Sequence, residues 1–399
     1  MTAGSVIAAH SMIRNGSRKV IDMNKAALTI FALASAISML SGCAEKKVER
    51  LETAFVVGVR SNSVIPESNV IASQLPKELG VGSTISMVGI DGGRDGIRIG
   101  SIEVKDVGTE IDTRNRYLAQ RAGLFAELKK HPAVRPEADV LGAIAAAARS
   151  LPSLNGSRIV VLDSMLSTAG PLDFRQGLLQ SSPEDIVDSL RTQNLLPNLK
   201  GAKIVLIGQG NVEPPQEQLS ERDRQSLRAI WRAVLTASGA SEVSQASDAG
   251  ATAKVDGLPL VSKVALQPLR ALRVENCETV IGEDQIRFQP DSARFADPSA
   301  AKDVIASWAS KSKNCSGYIS VTGTTSSAGT ARGRAMVSEA RANAVRTLLI
   351  EELGVDKGTV SAKGVGMNFP QFIPDRDRGN NLIPATASKN RSVRIQYSR

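Results

Sequence analysis

The sequence contains few aromatic side chains, since phenylalanine, tyrosine and tryptophan make up 3% of its 399 residues. It also lacks any basic run with interleaved aromatic residues, although 49 basic and 40 acidic residues give a formal charge of +9. Proteins that bind single-stranded nucleic acid combine a positively charged groove with aromatic rings on which bases stack. We therefore predict no nucleic-acid partner and interpret the positive charge as a property of a solvated surface.

Histidine and short catalytic motifs are scarce as well. The two histidines are His10 and His131, which are too few to suggest a zinc site. The motifs Gly-x-Ser-x-Gly, Gly-x-x-x-x-Gly-Lys and His-Glu-x-x-His are absent from the sequence. We predict a protein that is not an enzyme, with no catalytic residues, no cofactor and no metal site.

An apolar stretch at residues 26–40 has the length of a signal-peptide core. It ends in Leu40-Ser41-Gly42-Cys43, which resembles the lipobox of bacterial lipoproteins. The resemblance implies that residues 1–43 are a signal peptide with a lipobox, and that Cys43 is diacylated on its sulfur. Residues 1–22 precede an already complete signal, and we interpret them as an extension from an upstream start codon. The alternative is a signal anchor with an incidental cysteine.

The lipobox also predicts where the protein lies. Ala44 follows the cysteine, and this pattern sends a Gram-negative lipoprotein to the outer membrane, facing the periplasm. In a cell without an outer membrane, the anchor would be the outer face of the plasma membrane. Two or three acyl chains hold a protein stably on a bilayer. The lipid bilayer is therefore a predicted partner, and the charged residues 44–52 are a predicted tether.

Two further cysteines, Cys277 and Cys315, remain as an even pair once Cys43 is acylated. Because the extracytoplasmic compartment is oxidising, we predict that they form a disulfide. Closing this loop stabilises the fold by about 3–4 kcal/mol in the chain-entropy model. Two unpaired thiols are the alternative.

Strands alternate with helices between residues 53 and 240. The predicted strands are residues 55–59, 84–90, 97–104, 159–162 and 203–207. The second and third form a hairpin, and the predicted helices are residues 112–130, 138–151, 183–195 and 217–238. Such alternation predicts a mostly parallel sheet with helices on both faces, a three-layer α/β fold. The order of elements resembles that of a von Willebrand factor A-type domain, and residues 241–270 follow as a predicted linker.

Domains of that type often carry a metal site built on Asp-x-Ser-x-Ser after the first strand. The matching place here has Ser61 and Ser63, but Val59 stands where the leading carboxylate is expected. Asp163 follows another strand and lies at the same predicted edge. We interpret these residues as caps of strands and helices. Ligands favour the carboxyl edge of parallel sheets, so we predict that this edge binds an unknown envelope protein.

Four blocks near the C-terminus carry a second resemblance. They are residues 323–329 with Gly-Thr-Thr-Ser-Ser-Ala-Gly, residues 337–345, Gly364-Val365-Gly366 and residues 390–393 with Asn-Arg-Ser-Val. In this order they resemble the OmpA-like C-terminal domain, and we assign residues 271–399 to a smaller α/β domain of this kind. Its predicted strands are residues 286–288, 318–321, 359–363 and 393–397, and its predicted helices begin at Pro298 and Gly333.

The resemblance implies non-covalent binding of the diaminopimelate side chain of peptidoglycan. Arg341 fills the position of the family's ligand-binding arginine, whereas Ser326 stands in the position of its aspartate. Losing that carboxylate removes a charge-assisted contact of about 1.5–3 kcal/mol. The resemblance places Thr325, Asn390 and Arg391 in the same groove.

The alternative for Arg341 comes from its helix. Val337, Ala340, Ala344, Val345 and Leu348 form a predicted apolar arc that contains the arginine. A guanidinium among apolar side chains is often held by a structural ion pair. The charged run at residues 375–378 is interpreted as solvated surface, with a wall of the groove as the alternative.

Together these patterns predict an envelope lipoprotein that links its membrane to peptidoglycan while the middle domain binds a protein partner. One alternative is an envelope assembly or surface-adhesion component whose OmpA-like domain no longer binds cell wall. A second alternative is an enzyme with its site at Asp163.

Overall fold

The computed structural model describes residues 50–246, 255–267 and 271–398. Residues 48–399 form one compact unit. The predicted signal peptide, Cys43 and most of the tether lie outside the described residues, as does part of the predicted linker. Within the described part of the chain, no helix combines the length and apolar character needed to cross a membrane.

The first sheet has six strands in the order β3-β2-β1-β4-β5-β6. The strands are β1 Glu52–Val57, β2 Thr84–Gly89, β3 Ile97–Glu103, β4 Arg158–Leu162, β5 Lys203–Ile207 and β6 Glu242–Gln245. Neighbours pair in parallel except β2 and β3, which form the predicted antiparallel hairpin. The predicted mostly parallel sheet is confirmed. The sequence analysis missed β6, because its four residues lie in a Ser- and Ala-rich stretch that was predicted to be linker.

Helices cover both faces of this sheet. They are α1 Ser68–Ser73, α2 Glu110–Glu127, α3 Val140–Ser150, α4 Pro183–Thr192 and α5 Glu221–Ala237. Alternate residues of β1 point to opposite sides: Ala54 and Val56 pack with α3, α4 and α5, whereas Phe55 and Val57 pack with α1 and α2. Two separate apolar cores on one sheet make this a three-layer α/β fold, as predicted.

The second sheet has four strands in the order β7-β10-β8-β9. The strands are β7 Glu278–Gly282, β8 Tyr318–Gly323, β9 Val360–Gly364 and β10 Ser392–Ser398. The strand β10 lies antiparallel between β7 and β8, and β8 pairs in parallel with β9. Its helices are α6 Pro298–Lys311, α7 Ala331–Leu353 and α8 Pro384–Asn390. Both α6 and α7 contribute to its core, where Trp308, Val345, Val321 and Ile395 are buried.

One prediction for this part of the chain was wrong in detail. The first strand is β7 and not residues 286–288, where Phe288 forms only an isolated bridge to Phe295. Helix α8 has Pro384 in its first helical position and ends just before Arg391. The predicted helix start at Asp297-Pro298 is confirmed, since the Asp297 side chain accepts a hydrogen bond from the Ala300 backbone N–H.

A disulfide joins Cys277 and Cys315, as predicted, with their Cα atoms 5.6 Å apart. It connects the residue before β7 with the segment that leads into β8. The two strands flank β10, so the bridge ties the edge of the sheet to its centre.

Candidate functional site

The loop after β8, residues 324–327, lies at the end of the second sheet. This region, together with Arg341, Arg391 and the side chains that contact them, is here called the groove, after the binding groove that the resemblance implies. Close packing explains the glycines around it, since a Cβ atom on Gly323 would lie 2.1 Å from the carbonyl oxygen of Ser338. A Cβ atom on Gly364 would lie 2.2 Å from the backbone nitrogen of Glu339. Both strand ends therefore approach the backbone of α7, and this approach holds the loop beside that helix.

Arg341 lies on α7 at the margin of this groove. Its Nε donates a hydrogen bond of 3.0 Å to the carbonyl oxygen of Ser292. Its guanidinium carbon lies 5.1 Å from the centre of the Phe288 ring, which is cation–π geometry. Burial lowers the pKa of Arg341, and the nearby Glu283 carboxylate opposes that shift. The guanidinium stays charged and is fixed from two sides.

The predicted apolar arc around Arg341 is only partly correct. Val345 and Leu348 are buried, but Ala340 is exposed, and the other buried residues of α7 are Ser338, Ala342 and Leu349. The buried face is therefore rotated away from the predicted one. Arg341 lies at the edge of this buried face, so its guanidinium extends towards the groove and not through the apolar core.

Arg391 is the most enclosed cation of the groove. Its side chain is 12% exposed and forms ion pairs with Glu283, at 3.4 Å, and with Asp185 of α4. It also donates a hydrogen bond of 3.1 Å to the Ser326 hydroxyl. Burial lowers the pKa of Arg391, but the two carboxylates outweigh it, so the net pKa is raised. Burial dominates for Glu283 and raises the pKa of that carboxyl.

The structure places Ser326 and Thr325 in the loop of the groove. Ser326 is 2% exposed, and its hydroxyl contacts Arg391 as described. The backbone N–H of Thr325 donates to Gly366, while its hydroxyl is buried without a hydrogen-bond partner among the described residues. The loop therefore brings the Ser326 hydroxyl, and no carboxylate of its own, to Arg391.

Asn390 lies beside the loop at residues 324–327, and its side chain is held by other residues of the domain. It is fully buried, and its side-chain amide exchanges hydrogen bonds of 2.9 and 2.7 Å with the backbone of Ile373. It also donates to Asp375, which accepts a second bond from the Ser327 backbone N–H. Asn390 therefore holds the long loop against residues 324–327, and this structural role leaves it no free amide group for a ligand.

The charged run at residues 375–378 divides into two parts. Asp375 is 1% exposed and belongs to the loop support just described, whereas the other three residues are exposed. Arg376 donates to the Ser327 hydroxyl and to the Asn380 carbonyl oxygen. The interpretation as solvated surface was wrong for Asp375, because its carboxylate is needed by two buried donors.

At the carboxyl edge of the first sheet, Asp163 is bound by Arg60. The guanidinium donates hydrogen bonds of 2.9 and 2.8 Å to the two carboxylate oxygens, and both side chains are at most 1% exposed. Ser63 donates to the same carboxylate. The residue that packs closely on the Asp163 carboxylate is Gly58 rather than Val59. A Cβ atom on Gly58 would lie 2.0 Å from the Oδ2 atom of Asp163. These residues do not fit a metal ion, because a guanidinium takes the carboxylate.

Among the described residues, no group of three or more histidine, cysteine, aspartate or glutamate side chains is arranged to hold a metal ion.

Residues 259–264, here called the strap, lie across the same edge. Asn62 donates to the Val261 carbonyl oxygen at 2.8 Å, and Gln216 exchanges hydrogen bonds with the backbone of Val264. Ser61 donates to the carbonyl oxygen of Pro259. The strap forms no strand; it lies within residues predicted as linker and is held by these hydrogen bonds. The edge predicted to bind a partner is therefore covered in part by the chain itself.

The sequence analysis missed Glu283 and Asp185, the two carboxylates of the groove. Asp185 follows Pro183-Glu184 in the first turn of α4, where acidic residues are common for reasons of helix polarity. Glu283 lies in a turn next to another acidic residue, Asp284. Neither position has a signal in the sequence, because each meets Arg391 through the tertiary fold.

The four-stranded sheet and its packed helices define a small α/β domain with two largely buried arginines, Arg341 and Arg391, at its loop end. Residues 287–381 match the model of the OmpA family, so this part of the chain is an OmpA-like domain. None of the curated proteins in the comparison matches the chain.

Three solved structures illustrate the similarity. The cell wall anchor of the T6SS from Pseudomonas aeruginosa is 24% identical, with 31% of this chain and 81% of that one covered and a TM-score of 0.25. The OmpA-like domain of FopA1 from Francisella tularensis is 22% identical, with coverages of 31% and 75% and a TM-score of 0.22. An outer membrane protein from Borrelia burgdorferi is 22% identical, with coverages of 32% and 98% and a TM-score of 0.24. The assignment of the domain rests on the family match.

Proposed function

We propose that the OmpA-like domain binds peptidoglycan non-covalently and that the protein links its membrane to the cell wall. The observation that carries this proposal is the pair of arginines at the groove, Arg341 and Arg391, beside the loop of an OmpA family domain. Guanidinium groups recognise carboxylates through paired hydrogen bonds. The diaminopimelate side chain carries such a carboxylate, together with an ammonium group.

Glu283 supports the recognition of the ligand's ammonium group. Ser326 offers no charge to the ligand's ammonium, but Glu283 brings a carboxylate to the same groove from the turn after β7. A carboxylate beside two guanidinium groups suits a ligand with charges of both signs. We therefore assign to Glu283 the part that the family gives to its loop aspartate.

The anchor and the partner belong to the same proposal. Acylated Cys43 would hold the protein at the outer membrane, or at the outer face of the plasma membrane if there is no outer membrane, with the remaining chain in the periplasm. The middle domain, which resembles a von Willebrand factor A-type domain, would bind an envelope protein rather than catalyse a reaction. Leu260 of the strap is 82% exposed and gives this partner an apolar contact.

Co-sedimentation with diaminopimelate-type peptidoglycan tests the proposal, using the full chain in detergent. We expect the wild type to pellet with the wall and Arg341→Ala to lose about ten- to a hundredfold in affinity, since a charge-assisted contact is removed. Arg341→Lys keeps the charge without the planar fork and should lie between them. Arg332→Ala is the matched control, because Arg332 is an exposed arginine on the same helix.

Two other results would count against the proposal. If the wild type and Arg341→Ala pellet equally, Arg341 is a structural cation. If the wild type and Asp185→Asn both stay in solution while Ser326→Asp pellets, the domain has kept the fold and given up the ligand. That second result would favour an envelope assembly or adhesion component.

A further inference from the structure

The middle domain packs directly against the groove of the OmpA-like domain. Helix α4 and the turn at residues 177–180 contact α8, which leads into Arg391. The hydroxyl of Ser189 in α4 donates to the carbonyl oxygen of Leu382 at 3.2 Å. A Cβ atom on Gly177 would lie 3.5 Å from the Cβ of Ala385 in α8. The two domains therefore meet at close range next to the arginine.

One carboxylate crosses this interface. Asp185 is the third residue of α4, and its carboxylate forms an ion pair with Arg391. Both side chains are shielded from water, with exposures of 11% and 12%. The acidic neighbours on the same helix, Glu184 and Asp188, are exposed and make no contact with the groove in any described interaction. Asp185 is therefore the acidic residue of α4 that reaches the OmpA-like domain.

A carboxylate on Arg391 is the same kind of contact that a ligand carboxylate would make. Arg391 already holds Asp185 and Glu283, so its donors facing the middle domain are occupied. A third carboxylate cannot enter the same buried space without repelling the first two. Binding a wall peptide at Arg391 thus requires that Asp185 leave.

We propose that Asp185 occupies the groove in place of the ligand carboxylate, so that cell-wall binding and packing of α4 against the OmpA-like domain exclude each other. This inference rests on the function proposed above and adds its regulation. The protein then has a closed state, in which the middle domain covers Arg391, and a wall-bound state, in which α4 has withdrawn. A partner that binds the middle domain in only one of the states shifts the affinity for the wall.

Ser326 fits the closed state. An aspartate at this position would place a third carboxylate next to Arg391, whose guanidinium already donates to the Ser326 hydroxyl. Repulsion between that carboxylate and Asp185 would weaken the docking of α4. A neutral side chain at position 326 therefore permits the interface that an aspartate would oppose.

Substitution of Asp185 tests the competition in the full chain. Affinity for diaminopimelate-type peptidoglycan should rise about tenfold in Asp185→Asn, because the closed state loses its charged contact while the groove is unchanged. Glu184→Gln is the matched control: it removes a charge from the same helical turn but touches no groove residue, and it should bind as the wild type does. Equal affinities of Asp185→Asn and the wild type would overturn the inference.

A cross-link tests the same point in the other direction. In Gly177→Cys with Ala385→Cys, the Cβ separation of 3.5 Å falls within the range of disulfides. Oxidation should lock α4 over the groove and abolish co-sedimentation. Gly177→Cys alone under the same oxidant is the control and should bind normally, since it carries the same backbone strain at a φ of 80° without the cross-link. Undiminished wall binding by the cross-linked protein would show that the groove is open while the domains are packed.

The two experiments separate the inference from the proposed function. If the wild type binds through Arg341 but neither Asp185→Asn nor the cross-link changes its affinity, the competition is disproved and wall binding stands. If neither the wild type, Asp185→Asn nor Ser326→Asp pellets with peptidoglycan, the proposed function fails and the inference fails with it.

Discussion

Arg60 and Asp163 form a buried ion pair at the carboxyl edge of the first sheet, with hydrogen bonds of 2.9 and 2.8 Å between their side chains. Arg60 also donates to the Ser164 hydroxyl, and the Met165 backbone N–H donates to Asp163. The positive charge that balances the Asp163 carboxylate at this edge is thus supplied by Arg60 of the same chain. Every polar atom of the pair has a partner, which makes the pair costly to break from one side.

Removing one member should destabilise the fold strongly. We expect Arg60→Ala to lower the free energy of unfolding by about 3–5 kcal/mol, because it leaves an unpaired buried carboxylate. Urea unfolding measures this. Arg149→Ala is the control, since Arg149 pairs with Asp95 on the surface and should change stability by less than about 1 kcal/mol. A similar loss in both variants would show that burial of the pair does not matter.

The strap should detach when its hydrogen bonds to the sheet edge are removed. Gln216→Ala deletes both bonds to the Val264 backbone, at 3.2 and 2.7 Å. We expect faster proteolytic cleavage within residues 255–264, with little change in global stability, because loops open locally. Mass spectrometry of early fragments identifies the site. Gln218→Ala, which loses a bond to Val212 instead, should be cleaved as the wild type is.

Phe288 should be needed to position Arg341. The ring lies under the guanidinium at 5.1 Å. Phe288→Leu keeps an apolar side chain but removes the ring face, so we expect a loss of about two- to fivefold in wall affinity, the size of an exposed cation–π contact. Phe295→Leu is the control, because Phe295 packs on Phe288 without contacting the arginine in any described interaction. Unchanged affinity in Phe288→Leu would mean that Ser292 alone fixes Arg341.

Stability should depend on pH through Asp139, the cap of α3. Burial raises the pKa of this carboxyl from 3.8 to about 6, with Asp91 and Asp95 adding to the shift and the Gly142 N–H opposing it. Between about pH 4 and 6 the folded state binds the proton and the unfolded state does not. The stabilisation that the bound proton gives the folded state is therefore lost as pH rises through the folded-state pKa of Asp139. It is regained as pH falls towards the pKa of the unfolded state.

Asp139→Asn measures this contribution. The asparagine still accepts from Gly142, so the variant should gain on the order of 1–3 kcal/mol over the wild type at pH 7 and less as pH falls to about 4. Denaturant unfolding at a series of pH values gives the difference. Asp95→Asn is the control, because Asp95 is an exposed carboxylate in a surface pair with Arg149, and it should change stability by less than about 1 kcal/mol. A constant difference between Asp139→Asn and the wild type would show that Asp139 does not titrate in this range.

Local patterns predicted most of the framework, because the residues that define each element lie close together in the chain. Pro298 after Asp297 marks the start of α6, and the alternation of Val393 and Ile395 gives the inward face of β10. The first strand of the second sheet was misplaced for a related reason. Only two residues of β7 are buried, Thr279 and Ile281, and this alternation is too short to indicate a strand.

The candidate site was predicted only where a motif carries it. The structure brings Arg391 and Ser326 into contact, and the binding roles of Arg341, Arg391, Ser326 and Thr325 stay predictions. The roles of Asn390 and Asp185 depend on contacts between distant parts of the chain. Asn390 binds Ile373 across a long loop, and Asp185 meets Arg391 over 206 residues of sequence. Composition and periodicity describe single segments of the sequence, whereas these contacts join segments that lie far apart in it.

The Cys277–Cys315 bridge has a mechanical consequence. Under the proposed function, tension between membrane and wall would enter the C-terminal domain through the segment before Cys277. Without a bridge, that pull would peel β7 away from β10 one backbone hydrogen bond at a time. The covalent bond passes the load to the segment leading into β8, a strand hydrogen-bonded on both sides. The pull must then shear several bonds at once, so the domain resists detachment.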